Sequence, residues 1–89
     1  MTKNTDLYLL SLVAERVRAV RAATSLSREA FAEVVGIPAT SLKNVERGTR
    51  ESRFSVFHDI CVAFKHPHQV LNFIYGFAVK EETDFTLKD

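Results

Sequence analysis

The stretch FAEVVGIPATSLKNVERG, residues 31–48, decides how this chain is read. Apolar residues fall at Phe31, Ala32, Val35, Ile37, Leu42 and Val45, with Gly36 between two short amphipathic runs. Two helices meeting at a steep angle through a three- or four-residue turn need this pattern. Gly36 most easily takes the positive φ of such a turn, and the small Ala32 lets the helices approach closely. Ile37, Leu42 and Val45 then anchor the second helix to a core. Ala39, Thr40, Lys43 and Asn44 are left on the outward face near its N-terminus. An ordinary helical hairpin has no need of a face so small and polar.

Working outward, Asp6 is a plausible N-cap for a first helix, with Leu10, Val13, Ala14, Val17 and Val20 at helical spacing. That helix is expected to end near Thr24–Ser25. Ser27 caps the second helix, with Glu29 in its first turn near the positive helix end; Gly36 closes it. Pro38 can open the third helix, because its missing N–H is not needed in the first turn. A polar loop follows, then a fourth helix over about Phe54–Phe64 and a fifth over about Pro67–Val79. Only Phe85 and Leu87 alternate in a weak strand-like way. The expectation is an all-α fold of five helices, with a domain over residues 6–79 and a short acidic tail over residues 80–89.

Composition narrows the class. Eighty-nine residues at 46% hydrophobic make one domain with a modest core, and so small a domain gains by pairing with a second copy. The single cysteine, Cys61, excludes an intrachain disulfide framework and fits a reduced, cytoplasmic setting. The start, MTKNTDLYLL, lacks the basic residues and long apolar run of a signal peptide. No apolar run approaches the roughly 18 residues of a membrane span. The net charge of +1 hides an asymmetry. Residues 14–53 carry eight basic residues (Arg16, Arg18, Arg21, Arg28, Lys43, Arg47, Arg50, Arg53) against five acids, whereas residues 80–89 carry two against four. Only the basic middle is suited to a polyanion.

The outward face of the third helix matches the part of a recognition helix that reaches base edges in the major groove. Residues 13–64 resemble the helix-turn-helix family of phage repressors and Cro proteins, the XRE family. The resemblance rests on VRAVR in helix one, LSREAFAEVVGI across the turn and NVERGTR closing helix three. It implies a five-helix, lambda-repressor-like domain with the helix-turn-helix at helices two and three. It also implies that Ala39, Thr40, Lys43 and Asn44 face DNA bases, Asn44 being best suited to a bidentate adenine contact. Arg28, Ser41, Arg47, Arg50 and Arg53 would grip phosphates. Arg28 stands where the family usually has glutamine, gaining a charge but losing an amide that braces the recognition helix. Arg21 and Glu46 match a pair that commonly forms an internal salt bridge. Ser25 replaces the glycine usually closing helix one, so a less comfortable positive-φ residue, or a different turn, is expected.

Helix five carries Val70, Phe73, Ile74 and Phe77, which we read as a two-fold dimer interface; its rival reading is a stripe wrapped on the chain's own core. A dimer would set two recognition helices about 34 Å apart on one DNA face. The implied protein is a bacterial or phage-encoded transcriptional regulator acting on inverted repeats. Controller proteins of restriction–modification systems are the most similar group, through the LLSLV start, ERGTR at the close of helix three and the apolar fifth helix. A phage Cro-like regulator and an antitoxin-like interaction module are the alternatives. No carboxylate pair, metal spacing or nucleophile–base set points to an enzyme. His58 and Cys61 lie three apart on helix four, but Cys61 reads as a buried structural cysteine and not as half of a metal or nucleophilic pair, and His66 and His68 have no further ligands nearby in sequence; no metal, cofactor or small-molecule effector is expected.

Overall fold

The computed structural model describes residues 4–49 and 53–89. Helix α1 (Asn4–Thr24) is the longest element, starting two residues before the expected cap. It buries Ala14, Val17 and Val20, and half-buries Val13. It ends through Thr24, whose hydroxyl donates to Arg21 O at 2.6 Å and accepts from Leu26 N at 3.3 Å. Ser25 then takes φ 62°. A left-handed serine costs about 1 kcal/mol or more, and the Thr24 bridge helps hold the turn that glycine would make more easily.

Helices α2 (Arg28–Val35), α3 (Ala39–Glu46), α4 (Phe54–Val62) and α5 (Pro67–Tyr75) follow, with a 3-10 turn at Lys80–Glu82. Phe31, Leu42, Ile60, Phe64, Val70 and Ile74 are fully buried and join α1 through α5 in one core.

Two helices stop earlier than their apolar spacing suggests, and both stops have a tertiary cause. Past Val62 the chain leaves the helix and meets the C-terminal segment. Lys65 N donates to Thr86 O at 2.8 Å and Lys88 N to Ala63 O at 2.9 Å, around an antiparallel Phe64–Leu87 bridge. Helix α5 ends at Gly76, where a Cβ would stand 2.8 Å from Asn72 O. Phe77 takes the left-handed turn at φ 53°, and Ala78 N donates back to Asn72 O at 3.1 Å. Arg16 secures this turn from α1. Its Nη1 donates to Ala78 O at 2.8 Å, and its guanidinium carbon lies 4.5 Å from the Phe73 ring centroid and 5.2 Å from that of Phe77.

Two expectations are corrected here. Val70, Phe73 and Ile74 are 0%, 2% and 0% exposed, so they are spent on the chain's own core and leave no surface for a second copy. Phe77 is half-buried beneath Arg16. The segment 80–89 is also not a separate tail. Phe85 and Leu87 pack against the core, with the Phe85 ring 5.1 Å from Phe73 and 6.4 Å from Phe64, both edge-on. Asp84 folds this segment by accepting from Thr86 N at 2.8 Å, and its carboxyl is held below the usual range first by the Thr86 hydroxyl and then by that N–H.

Candidate nucleic-acid interface

The helix-turn-helix is assembled by local rules. Ser27 caps α2 by accepting from Ala30 N at 3.1 Å. Gly36 turns the chain at φ 86°, and the N–H groups of Gly36 and Ile37 both donate to Ala32 O, at 2.8 and 3.0 Å. Ala32 is 2% exposed, as the close approach of the two helices requires. Pro38 occupies the N-cap of α3, one position before the first helical turn expected for it, with its carbonyl accepting from Ser41 N and Leu42 N.

Once α3 is placed, its two faces separate cleanly. Leu42, Val45 and Glu46 are buried, whereas Ala39, Thr40, Lys43, Asn44 and Arg47 are exposed. Ser41 is half-buried in a groove that also includes Asn44, Arg53, Ser55 and Asp59. Arg53 is exposed at the N-cap of α4. Arg50 lies outside the described residues.

Glu46 is the buried charge among the described residues, at 2% exposure. Its carboxylate accepts from Arg21 twice, Nε to Oε2 at 2.7 Å and Nη2 to Oε1 at 3.1 Å. Arg28 Nε donates to Oε1 at 3.2 Å. Arg18 reaches the Glu46 carbonyl. Arg21 is consequently held protonated even more firmly than usual, chiefly by its hydrogen bond to Glu46. The Arg21–Glu46 pair implied by the family resemblance is present. Arg28 is corrected: far from losing the brace on the recognition helix, it supplies one through Glu46, and about a third of its side chain remains exposed.

Arg18 was missed as a site residue, although its spacing carries a signal. Arg18 and Arg21 lie three apart on α1 and share a face toward α3, while Arg16 points to α5. The charge count over residues 14–53 thus overstates what is available to a polyanion. Arg16, Arg18, Arg21 and Arg28 all make intramolecular contacts. Lys43, Arg47 and Arg53 are the exposed cations left beside α3 among the described residues.

Cys61 is 5% exposed, and burial pushes its thiol from 9.0 up to about 11. Thiolate is the reactive form, and two units in pKa mean about a hundredfold less of it. Alkylation by iodoacetamide at pH 8 should therefore run at least about a hundredfold slower than in urea, with mass spectrometry as the readout; comparable rates would show that Cys61 is open. The neutral thiol is the form the fold favours. Its contribution is therefore complete below pH 9 and is lost as pH rises toward 11.

The helix-turn-helix domain family matches residues 12–71, more than half of the chain, and this protein belongs to it. No curated protein and no solved structure matches the chain. The matched region runs from α1 through the first half of α5 and contains the α2–turn–α3 unit and its Glu46 anchor. Among the described residues no helix is long and apolar enough to cross a membrane.

Proposed function

We propose that this chain is a sequence-specific double-stranded DNA-binding transcriptional regulator, acting as a homodimer on an inverted-repeat operator. The observation that carries the reading is the divided α3. Its inner face is locked by Leu42, Val45 and the Glu46 cluster, while Thr40, Lys43 and Asn44 stand exposed with no intramolecular side-chain partner among the described residues. Polar side chains held on a rigid helix and left unpaired are what base-edge reading in a major groove uses. The phosphate contacts in this reading are Arg28, Ser41, Arg47, Arg50 and Arg53, and the groove that Ser41 and Arg53 share with Asn44 supports it. The particular role proposed is that of an autoregulating controller protein of a restriction–modification system, on the resemblance of its LLSLV, ERGTR and apolar fifth-helix segments to that group. It works by binding alone, without catalysis, cofactor or small-molecule effector.

Selection of bound duplexes from a random pool tests this directly, because it reports sequence, symmetry and half-site spacing together. Within the selected site, Asn44→Ala should cost about 1–3 kcal/mol and relax preference at one base position. Arg47→Ala should weaken all sequences alike and reduce the salt slope by about 1. Base preferences unchanged by Asn44→Ala would remove Asn44 from the readout, and a pool yielding no enriched duplex would sink the whole reading.

A further inference from the structure

Helices α2 and α3 are both eight residues long, yet they begin in opposite ways. Helix α2 starts with two devices that stabilise a helix end: the Ser27 hydroxyl accepts from Ala30 N, and Glu29 stands in the first turn. Helix α3 has neither. Pro38 occupies its N-cap with no side-chain hydrogen bond, and its first turn holds no acid. Pro38 and Ala39 are both exposed, so the leading end of the recognition face is apolar. A Cβ built on Gly36 would meet nothing among the described residues within 4 Å, so the turn leaves this end open.

The N-terminal residues of a recognition helix are the ones that reach base edges. Ala39 ends at its Cβ and carries no side-chain donor or acceptor. Set against the edge of guanine or adenine, or the cytosine amino group, it would cover a hydrogen-bonding group without pairing it. Stranding such a group costs roughly five- to 150-fold in affinity. Thymine is the exception, because its 5-methyl group projects into the major groove and suits apolar contact. Burying one methyl against Ala39 and the Pro38 ring gains only about fourfold. The penalty exceeds the gain, so this end selects mainly by refusing bare polar edges.

We infer that Pro38 and Ala39 read the 5-methyl group of a pyrimidine. The bound duplex carries thymine opposite the first turn of α3, and 5-methylcytosine supplies the same contact. This selectivity rests on the DNA-binding reading and adds the chemical group that is read. Ala39 and Asn44 lie five residues apart, about 7.5 Å along the helix. That exceeds one step of about 3.4 Å along a DNA strand, so the methyl and the base read by Asn44 belong to different base pairs.

Competition binding of the full chain to its selected duplex tests it. Each thymine is replaced in turn by uracil, which removes the methyl and keeps every hydrogen-bonding group. At the position facing α3, affinity should fall about fourfold for each methyl removed. Cytosine and 5-methylcytosine, placed there opposite guanine, form a second pair, and the methylated duplex should bind about fourfold tighter. Ala39→Gly should shrink both ratios below about twofold, with circular dichroism checking that its fold is unchanged. Asn44→Ala should weaken every duplex and leave both ratios as they are. Uracil that is neutral at every position, 5-methylcytosine no better than cytosine, or ratios that survive Ala39→Gly would each overturn the inference. A duplex that is selected but indifferent to its methyl groups would leave the DNA-binding reading standing; a pool that enriches no duplex would remove both.

Discussion

Phe64→Ala is expected to lower the unfolding free energy by about 3–5 kcal/mol, the range for deleting a fully buried phenylalanine. Small domains hold about 5–15 kcal/mol in total, so this one substitution should bring the chain close to unfolding at room temperature. The size follows from position. Phe64 is 0% exposed, its ring lies 6.2 Å from Phe31 and 6.4 Å from Phe85, and its backbone bridges Leu87. It therefore joins the helix-turn-helix to the C-terminal segment. Phe85→Ala, at a half-buried site in the same aromatic group, should cost about half as much. Urea unfolding followed by far-ultraviolet circular dichroism measures both. A Phe64→Ala loss below 1 kcal/mol would mean that the aromatic cluster contributes little, and a neutral Phe85→Ala would mean that the last segment is not anchored.

The second large effect is expected at Glu46. Glu46→Ala removes the carboxylate on which Arg21 and Arg28 converge and should cost about 3 kcal/mol, near the lower end for a broken buried ion pair. The lower end applies because Arg21 and Arg28 are 23% and 33% exposed, so both orphaned cations can turn to water. For a domain of this size, such a loss should lower the melting temperature by about 12–24 °C. Stabilised by low temperature, the variant should still bind DNA more weakly than wild type and with less difference between sequences. Glu46 is itself 2% exposed, so that second result would report the placing of α3 and of the arginines Glu46 holds, and not a lost contact of Glu46 with DNA. Thermal unfolding and competition binding give the two readouts. A melting temperature within a few degrees of wild type would show that core packing alone holds α3.

Much of this architecture was legible before any coordinates. The 3.6-residue periodicity of Val13, Val17 and Val20, the cap at Ser27 and the glycine at 36 are local signals. Each maps onto an observed helix, cap or turn. The outward set on α3 was legible for the same reason: once Leu42 and Val45 face inward, helix geometry alone puts Thr40, Lys43 and Asn44 outside.

The misread parts all depend on chain segments far apart. Val70, Phe73 and Ile74 carry an apolar stripe that fits a partner's surface and the chain's own core equally well; periodicity reports that a face is buried, never against what. Phe85 and Leu87 read only as a weak alternation in an acidic tail because two alternating residues are too few to signal a strand, and Phe64 opposite them gives the segment its place. The brace that Arg28 supplies was not legible because its partner Glu46 lies 18 residues away in sequence.

Local events were therefore readable along the chain: five helices, the Ser27 cap, the Gly36 turn, and which residues of α3 face away from the core. Which apolar residues are consumed at home, which arginines are neutralised inside, and which aromatic ring is left at the surface depend on long-range contacts. The physical reason is range. Helix periodicity and capping act over a few residues, but the burial of Phe73, the pairing of Glu46 and the exposure of Phe54 exist only after distant segments have met.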